Sequence, residues 1–217
     1  MVDGHKSTAP PEPDVGPERC SWIAHMIGRV VGRLMGWRFE GGVPAINKMV
    51  FIAAPHTSNW DFIVALAAAW SFRLKLRWLG KHTLFRFPFG WFMRALGGIP
   101  VNRSARHGMV EQMVEVFQRL PRLTLMVPAA GTRAKRERWK SGFYHIARAA
   151  NVPVVCCPAD YSRKVGTLSA PFYLTGDVRA DMERIRALFD GVLGRHPDLM
   201  TPIRMKEEDT IESVPAN

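Results

Sequence analysis

The feature that most constrains the fold is an alternation of short apolar segments with helical patterns, which begins after Gly41 and Gly42. The strand-like apolar segments lie at 48–54, 76–80, 98–102, 123–127 and 152–157, with a further candidate at 171–175. Helical patterns lie at 58–72, 107–118, 142–150 and 181–193, and 87–96 is read as a helix or turn. Strands alternating with helices indicate a mostly parallel sheet flanked by helices. We therefore predict an α/β fold, and at 217 residues a single domain is the default.

Four parts are predicted along the chain: a disordered arm at 1–20, an amphipathic helix at 21–40, the main domain at 41–205 and a flexible tail at 206–217. The arm is polar and Pro-rich, without the apolar run of a secretory signal. The helical segment carries an apolar stripe, with Arg29 and Arg33 on its other side. Two interpretations stay open for this stripe. It packs on the protein's own core, or it lies in a membrane interface with the arginines at the headgroups.

The charge of the chain indicates an anionic partner. Lys and Arg number 30 against 19 Asp and Glu, which gives a net charge of +11 and a sequence pI of about 10.2. Such a surface attracts nucleic acid, anionic lipid, or an anionic cofactor or carrier protein. No apolar run reaches the roughly 18 residues of a membrane-spanning helix. Cys20, Cys156 and Cys157 have neither disulfide nor metal spacing, so we expect buried thiols in a cytosolic protein and no metal site.

The segment APHTSNWD at 54–61 contains the strongest candidate for chemistry. It places His56 and Asp61 five residues apart, after a strand pattern and before a helix. Two helical residues with this spacing point about 140° apart, so His56 must precede the helix to meet Asp61. Pro55 favours a turn there, and Thr57, Ser58 and Asn59 are suitable helix caps. A histidine oriented by a carboxylate can act as a general base on an alcohol, although an H-x4-D pattern also arises by chance.

Three further blocks follow in order: LGKHTLF with PFG at 79–90, GGIPVNR at 97–103, and VPAAGTR with WKSGF at 127–143. Together with the His56 block, they resemble the glycerolipid acyltransferase family, of the lysophosphatidate acyltransferase type in bacterial phospholipid synthesis. The resemblance covers roughly residues 49–158. One block alone would be weak evidence, whereas four blocks in the same order form a specific signal.

The resemblance implies a role for each matching residue. His56 is the expected general base and Asp61 the residue that orients it. An acceptor hydroxyl then attacks the thioester of acyl-CoA or acyl carrier protein, with no covalent acyl-enzyme and no other cofactor. The residues expected to bind an anionic, lipid-like acceptor are Lys81, Arg103, Gly131, Thr132 and Arg133. We also expect a cytoplasmic protein that associates peripherally with the inner face of the membrane, because basic and aromatic residues occur together without a spanning apolar run.

One position departs from the family pattern. The family carries Glu directly before Gly-Thr-Arg, and this chain has Ala130 there. A carboxylate at this position could orient neighbouring cations or bind an acceptor hydroxyl, and alanine can do neither. The alanine fits a natural specialisation, an impaired enzyme or a deliberate substitution. We expect it to limit activity, so that Ala130→Glu raises the rate, because a carboxylate there could fix Arg133 in a bidentate pose for the acceptor headgroup.

Two alternatives to a lysophospholipid acceptor stay open: acyl transfer to an amino-acid lipid, a sugar or a small metabolite, or a weakly active membrane-interface binding protein. The aromatic residues between Phe85 and Met93 either belong to the core or contact an acyl chain and the membrane. The cations between Arg133 and Lys140 also suggest a nucleic-acid surface. No nucleic-acid-binding motif accompanies them, so nucleic acid is not an expected partner.

Overall fold

In the computed structural model, which describes residues 15–101 and 108–209, seven strands form one sheet in the order β1-β7-β6-β2-β5-β3-β4. The strands are β1 (Arg38–Glu40), β2 (Lys48–Ala54), β3 (Leu76–Lys81), β4 (Gly98–Val101), β5 (Leu123–Met126), β6 (Val154–Asp160) and β7 (Val165–Thr167). The helices are α1 (Trp22–Leu34), α2 (Trp60–Ser71), α3 (Gly90–Ala95), α4 (Met109–Arg119), α5 (Gly142–Ala149) and α6 (Val178–Leu188). Neighbouring strands are parallel except for β6 and β7. The predicted fold class is confirmed.

The central strands are apolar along their length because helices cover the sheet on both faces. Strand β2 has buried residues at all positions after Lys48. One core includes residues of β2, β5, β6, α4, α5 and α6, and the other includes residues of β2, β3 and α2 together with Phe85. A parallel sheet buried on both faces is expected to show such continuous apolar strands. This burial makes the ends of β2, β5 and β6 a rigid support for the loops that follow them.

Helix α1 contacts the domain through small residues. Gly28 and Gly32 are buried, and a Cβ on Gly28 would lie 2.6 Å from Trp70 Cβ in α2. The large apolar side chains of α1 are exposed instead, including Ile23 at 71% and Leu34 at 83%. The stripe therefore does not pack on the core. None of the helices in the described part of the chain is long and apolar enough to cross a membrane.

Several predicted boundaries were wrong. The predicted helix at 21–40 ends at Leu34, and its last residues form the short strand β1. Strand β7 was not predicted, and residues 171–175 make only an isolated bridge between Phe172 and Val154. Strands β1 and β7 both lie at one end of the sheet. A strand in this position does not require a long apolar run.

The described ends of the predicted arm and tail are attached to the domain. Glu18 forms an ion pair with Lys75, and Cys20 N–H donates to the Arg73 carbonyl. At the other end, Glu208 is buried and Asp209 pairs with Arg138 and Arg204. The predicted disorder was therefore wrong for residues 15–20 and 206–209, and the rest of the arm and tail lies outside the described residues.

Candidate active site

His56 and Asp61 lie in the turn between β2 and α2. The Ala54–Pro55 peptide is cis, and His56 follows it before α2 begins at Trp60. Asp61 is in the first turn of the helix, so the side chains meet as their spacing predicts. His56 Nδ1 lies 3.9 Å from Asp61 Oδ2, and the two side chains are 15% and 4% exposed. This distance is longer than a hydrogen bond, and such contacts commonly tighten when substrate binds.

Asp61 is held by donors on both of its oxygens. Oδ2 accepts from the Thr57 and Ser58 N–H groups at 2.6 and 2.8 Å, and Oδ1 accepts from the Tyr161 hydroxyl at 2.6 Å. Burial alone would raise the pKa of Asp61, but His56, the Tyr161 hydroxyl and the two backbone N–H groups outweigh burial and lower it. Asp61 is therefore a buried, ionised and oriented carboxylate.

Strand register brings the other predicted segments to the same end of the sheet. Met126 of β5 pairs with both Phe51 of β2 and Trp78 of β3. Three residues beyond Phe51 and Trp78 lie Ala54 and Lys81, the last residues of β2 and β3. Three residues beyond Met126 lies Ala129, past the end of β5, and the loop that carries Gly131, Thr132 and Arg133 follows. Ligand sites of parallel α/β sheets form beyond these carboxyl ends. Lys81 is exposed there, and Arg103 lies outside the described residues.

The loop after β5 contacts the His56 turn directly. Arg133 Nη1 donates to the Asn59 side-chain oxygen, so Arg133 is attached to the start of α2. Gly131 has φ +68°, and a Cβ there would lie 2.8 Å from Lys140 Cδ. The backbone conformation and the close lysine both favour glycine at this position. Thr132 Oγ1 accepts from the Ala134 N–H at 3.3 Å, which ties its hydroxyl to the loop's own backbone.

A small apolar cavity of about 30 Å³ lies beside His56. Residues from three regions line it: Ala54, Pro55, Ala130, Trp139, Phe189, Val192, Met200, Thr201 and Ile203. The last three belong to residues 194–204, which we call the C-terminal segment. This segment is fixed to the site because the His196 N–H donates to Thr57 Oγ1 at 3.2 Å, and Trp139 N–H donates to the Arg204 carbonyl at 2.8 Å.

A second apolar cavity, of about 10 Å³, lies on the α2 side of His56 and Asp61. Small side chains on the sheet and on α2 line much of it, and Phe39 of β1 contributes an aromatic wall. His56 therefore has apolar space on two sides. Neither cavity has room for an acyl chain in this structure, and what they establish is that the walls around His56 are apolar on both sides.

A basic groove of about 940 Å³ lies next to the first cavity and shares Ala130 with it. Its charged lining residues are Lys135, Arg136, Glu137, Arg138 and Lys140. Arg138 is paired with Asp209, and the remaining three cations against Glu137 still give the groove an excess of positive charge that suits an anionic group. Within residues 15–101 and 108–209, no three His, Cys, Asp or Glu side chains are grouped to hold a metal ion.

These strands, turns and motif blocks match a known family. A family model of acyltransferases matches residues 38–159, more than half of the chain. The chain belongs to the acyltransferase family. The family predicted from the four motif blocks is thereby confirmed, while the roles of the individual motif residues stay predictions.

Comparison with solved structures gives the same fold. The crystal structure of the 1-acyl-sn-glycerophosphate acyltransferase PlsC from Thermotoga maritima is similar, with a TM-score of 0.53 and 14% identity. The similarity covers 90% of this chain and 80% of that one. Comparison with curated proteins gave no match.

Two parts of the site were not predicted. Tyr161 directly follows β6, and its position after a buried strand is a signal that could have identified it. The cavity residues of the C-terminal segment carry no such signal, because they lie in irregular chain between α6 and the end of the described residues.

Ala130 lies at the boundary between cavity and groove and is only 6% exposed. Its neighbours on the cavity side include Trp139 and Phe189, and Arg133 already has a partner in Asn59. Arg133 is the residue that a glutamate at 130 was expected to hold. In the structure, Asn59 binds it instead.

Proposed function

We propose that the chain transfers a fatty acyl group from acyl-CoA or acyl carrier protein to a hydroxyl of a lysophospholipid-like acceptor of the 1-acylglycerol-3-phosphate type. The observation that carries this proposal is the His56–Asp61 pair, which stands between apolar cavities and close to a basic groove. This combination suits a substrate with a hydrocarbon chain and an anionic headgroup. The acceptor named for the similar Thermotoga maritima enzyme has both parts.

In the proposed reaction, His56 is the general base. Its Nδ1 faces Asp61, so Nε2 is available to take the proton of the acceptor hydroxyl. The acceptor oxygen attacks the thioester carbonyl carbon and forms a tetrahedral intermediate. The carbon–sulfur bond then breaks, and the thiolate takes the proton from the imidazolium. The products are the acylated acceptor and a free thiol, and Asp61 stabilises the imidazolium without itself changing protonation.

Cations at the carboxyl end of the sheet bind the acceptor headgroup in this proposal. Arg133 is positioned by Asn59 at the start of α2, and an arginine fork can bind two phosphate oxygens at once. Lys81 extends from the end of β3 and supplies a further positive charge. Gly131 and Thr132 shape the loop that carries Arg133.

A different acceptor is the second candidate, and the environment of Ala130 favours it. Without a glutamate at 130, no further negative charge offsets the cations of the groove, and the cavity wall stays apolar. An acceptor with a bulkier or more strongly anionic headgroup would suit this arrangement. A panel of lysophospholipids, amino-acid lipids, sugars and soluble hydroxyl compounds distinguishes the two acceptor classes.

The test of the mechanism is His56→Ala, assayed with acyl-CoA and acyl carrier protein donors on that panel. Loss of a general base typically lowers the rate by about 10² to 10⁴. The matched control is His145→Ala, which removes an exposed histidine that lies beside Glu207. Transfer by His56→Ala within a few-fold of the parent would refute the role of His56 as the base.

Peripheral contact with the inner face of the membrane is also part of the proposal. Helix α1 exposes Ile23 and Leu34 together with Arg29, and the segment around α3 exposes Phe87 at 96% and Trp91 at 72%. Both α1 and α3 belong to the α2 side of the sheet. Apolar and aromatic side chains beside arginines are typical of helices that lie at a lipid surface.

The membrane proposal is tested with the double variant Ile23→Asp and Leu34→Asp in co-sedimentation with vesicles that contain anionic lipid. We expect binding to fall by about tenfold or more, because two apolar contacts are replaced by charges that the lipids repel. High salt should also weaken binding by the parent protein. Tyr173→Asp is the control, because it places a single negative charge at an exposed aromatic outside both patches. Equal binding by all three proteins in low and high salt contradicts the proposal.

A further inference from the structure

Tyr161 lies where the end of β6 meets the His56 turn. Strands β2 and β6 are parallel neighbours, and Ala54 pairs with Pro158. Three residues beyond this pair, Tyr161 comes level with Thr57, beside the turn that holds His56 and Asp61. Its N–H donates to the Leu193 carbonyl at 2.9 Å, which fixes its backbone against the chain that follows α6.

The Tyr161 hydroxyl donates to the oxygen of Asp61 that does not face the histidine. Oδ1 receives the tyrosine at 2.6 Å, while Oδ2 receives two backbone N–H groups and lies 3.9 Å from His56 Nδ1. Donors on both oxygens fix the rotation of the carboxylate plane. Without the hydroxyl, Oδ1 would lose its protein donor, and the carboxylate could turn Oδ2 away from the imidazole.

Tyr161 is itself held in place by an aromatic neighbour. Its ring meets Trp37 edge-to-face, with ring centroids 4.9 Å apart and an interplanar angle of 88°. Trp37 is buried at 6% exposure and lies three residues beyond the end of α1. Edge-to-face aromatic pairs of this kind restrict ring orientation. Burial, the hydrogen bond to Asp61 and the charge of Asp61 raise the pKa of Tyr161, against a smaller opposing effect of Arg195, so the hydroxyl stays a donor at neutral pH.

We propose that Tyr161 is a positioning residue that acts through Asp61 to keep the His56 imidazole aligned for proton transfer. This inference rests on the proposed function and adds a third residue to the predicted pair. Tyr161 needs no contact with either substrate for this role, because its hydroxyl is already used by Asp61. Its removal should therefore change kcat and leave the KM values for donor and acceptor unchanged.

The experiment compares Tyr161→Phe with Tyr144→Phe in steady-state acyl transfer and in thermal unfolding. Both substitutions keep the ring and remove a hydroxyl that donates to a buried aspartate, since Tyr144 donates to Asp181 at 2.8 Å. We expect Tyr161→Phe to lower kcat by about tenfold to a hundredfold, as for other losses of alignment, with unchanged KM values. Tyr144→Phe should lower the unfolding temperature and keep kcat within about twofold of the parent.

A second measurement keeps the inference testable if Tyr161→Phe also lowers stability. In an Asp61→Asn background, the added Tyr161→Phe substitution should change kcat by no more than about twofold, because coupled residues do not act additively. A kcat within about twofold of the parent for Tyr161→Phe alone overturns the inference. An equal fold loss in both backgrounds overturns it too.

The His56→Ala variant separates failure of this inference from failure of the proposed function. If His56→Ala is inactive and Tyr161→Phe is fully active, only the role of Tyr161 is wrong. If His56→Ala retains the parent rate, the proposed mechanism fails, and the positioning role fails with it.

Discussion

Helices α2 and α6 begin with similar arrangements of groups but use them differently. In each first turn lies a buried aspartate that accepts hydrogen bonds from two backbone N–H groups and a tyrosine hydroxyl. For Asp61 the donors are Thr57, Ser58 and Tyr161, and for Asp181 they are Thr175, Gly176 and Tyr144. In both, burial would raise the pKa, and the hydrogen bonds outweigh burial and lower it. A lowered pKa at a helix start therefore does not by itself mark a carboxylate as catalytic.

The difference lies in the residue that precedes each helix and in the neighbours of each aspartate. Asp177 caps α6 in the usual way, since its Oδ1 accepts from the Ala180 N–H at 3.0 Å. Asn59 precedes α2 and makes no capping bond with its side chain, which binds Arg133 instead. Asp61 also has His56 beside it and a cavity close by. At the start of α2, Asn59 binds Arg133 and Asp61 lies beside His56, so groups that elsewhere only stabilise a helix belong here to the candidate site.

The largest expected effect is a loss of kcat when Asp61 is replaced, which should not occur when Asp181 is replaced. Asp61→Asn should lower kcat by about 10² to 10⁴, because the imidazole loses the charge that orients it and stabilises its protonated form. Asp181→Asn, assayed per mole of folded protein, should keep kcat within about twofold of the parent. A comparable loss of kcat in both variants would show that Asp61 only supports the helix start.

The next effect concerns stability and its pH dependence at Asp181. Because the folded-state pKa is lowered, the carboxylate contributes stability above its unfolded pKa of about 3.9, and this contribution is lost as pH falls through the lower folded pKa. We expect Asp181→Asn to reduce the free energy of unfolding by about 2 kcal/mol at pH 7, with a smaller difference near pH 3. Urea unfolding at both pH values measures this. A difference that does not shrink at low pH would argue against an ionised Asp181.

A smaller effect compares the two residues that precede the helices. Asn59→Ala releases Arg133 and should raise KM for an anionic acceptor by about fivefold to tenfold, with little change in stability. Asp177→Ala should cost about 1 kcal/mol of stability through loss of its cap and leave KM unchanged. If Asn59→Ala destabilises the protein to the same degree and does not change KM, Asn59 is an ordinary cap and the contrast between the helices fails.

Local patterns predicted the elements of the fold better than they predicted the site. Strand β2 was predicted with its observed bounds because a central strand buried on both faces is a continuous apolar run. The three-residue strands β1 and β7 have no such run. His56 and Asp61 were found because they are five residues apart, whereas Tyr161 meets Asp61 across 100 residues of chain, a pairing that a single sequence does not reveal.

Helix α1 shows a second limit of sequence patterns. Its apolar stripe was visible in the sequence, but the pattern did not show which side of the helix meets the protein. Gly28 and Gly32 allow close contact with α2 and β1, so the helix packs through its smallest residues and exposes its largest. Glycine is unfavourable within helices, so the residues that allow this close contact also make α1 less stable as an isolated helix.

The smallest effect is expected at Ala130, where the sequence predicts that glutamate raises activity. The predicted reason was that a carboxylate would hold Arg133, but Asn59 already binds this arginine at the start of α2. A glutamate at 130 would therefore add a second partner to an arginine that is already positioned, at the wall of an apolar cavity where part of its charge is desolvated.

We expect the gain in kcat/KM to be only about twofold to fivefold, since a further bond to an arginine is worth about 1 kcal/mol here. The gain should be larger in the Asn59→Ala background, where Arg133 lacks its partner, and Ala130→Gln is the matched control without charge. Steady-state transfer across acceptor concentrations measures all of these variants. If Ala130→Glu leaves kcat/KM unchanged or lower on every working acceptor, then the alanine is an adaptation to this chain's own acceptor, and the asparagine of α2 has taken over the role of the family's glutamate.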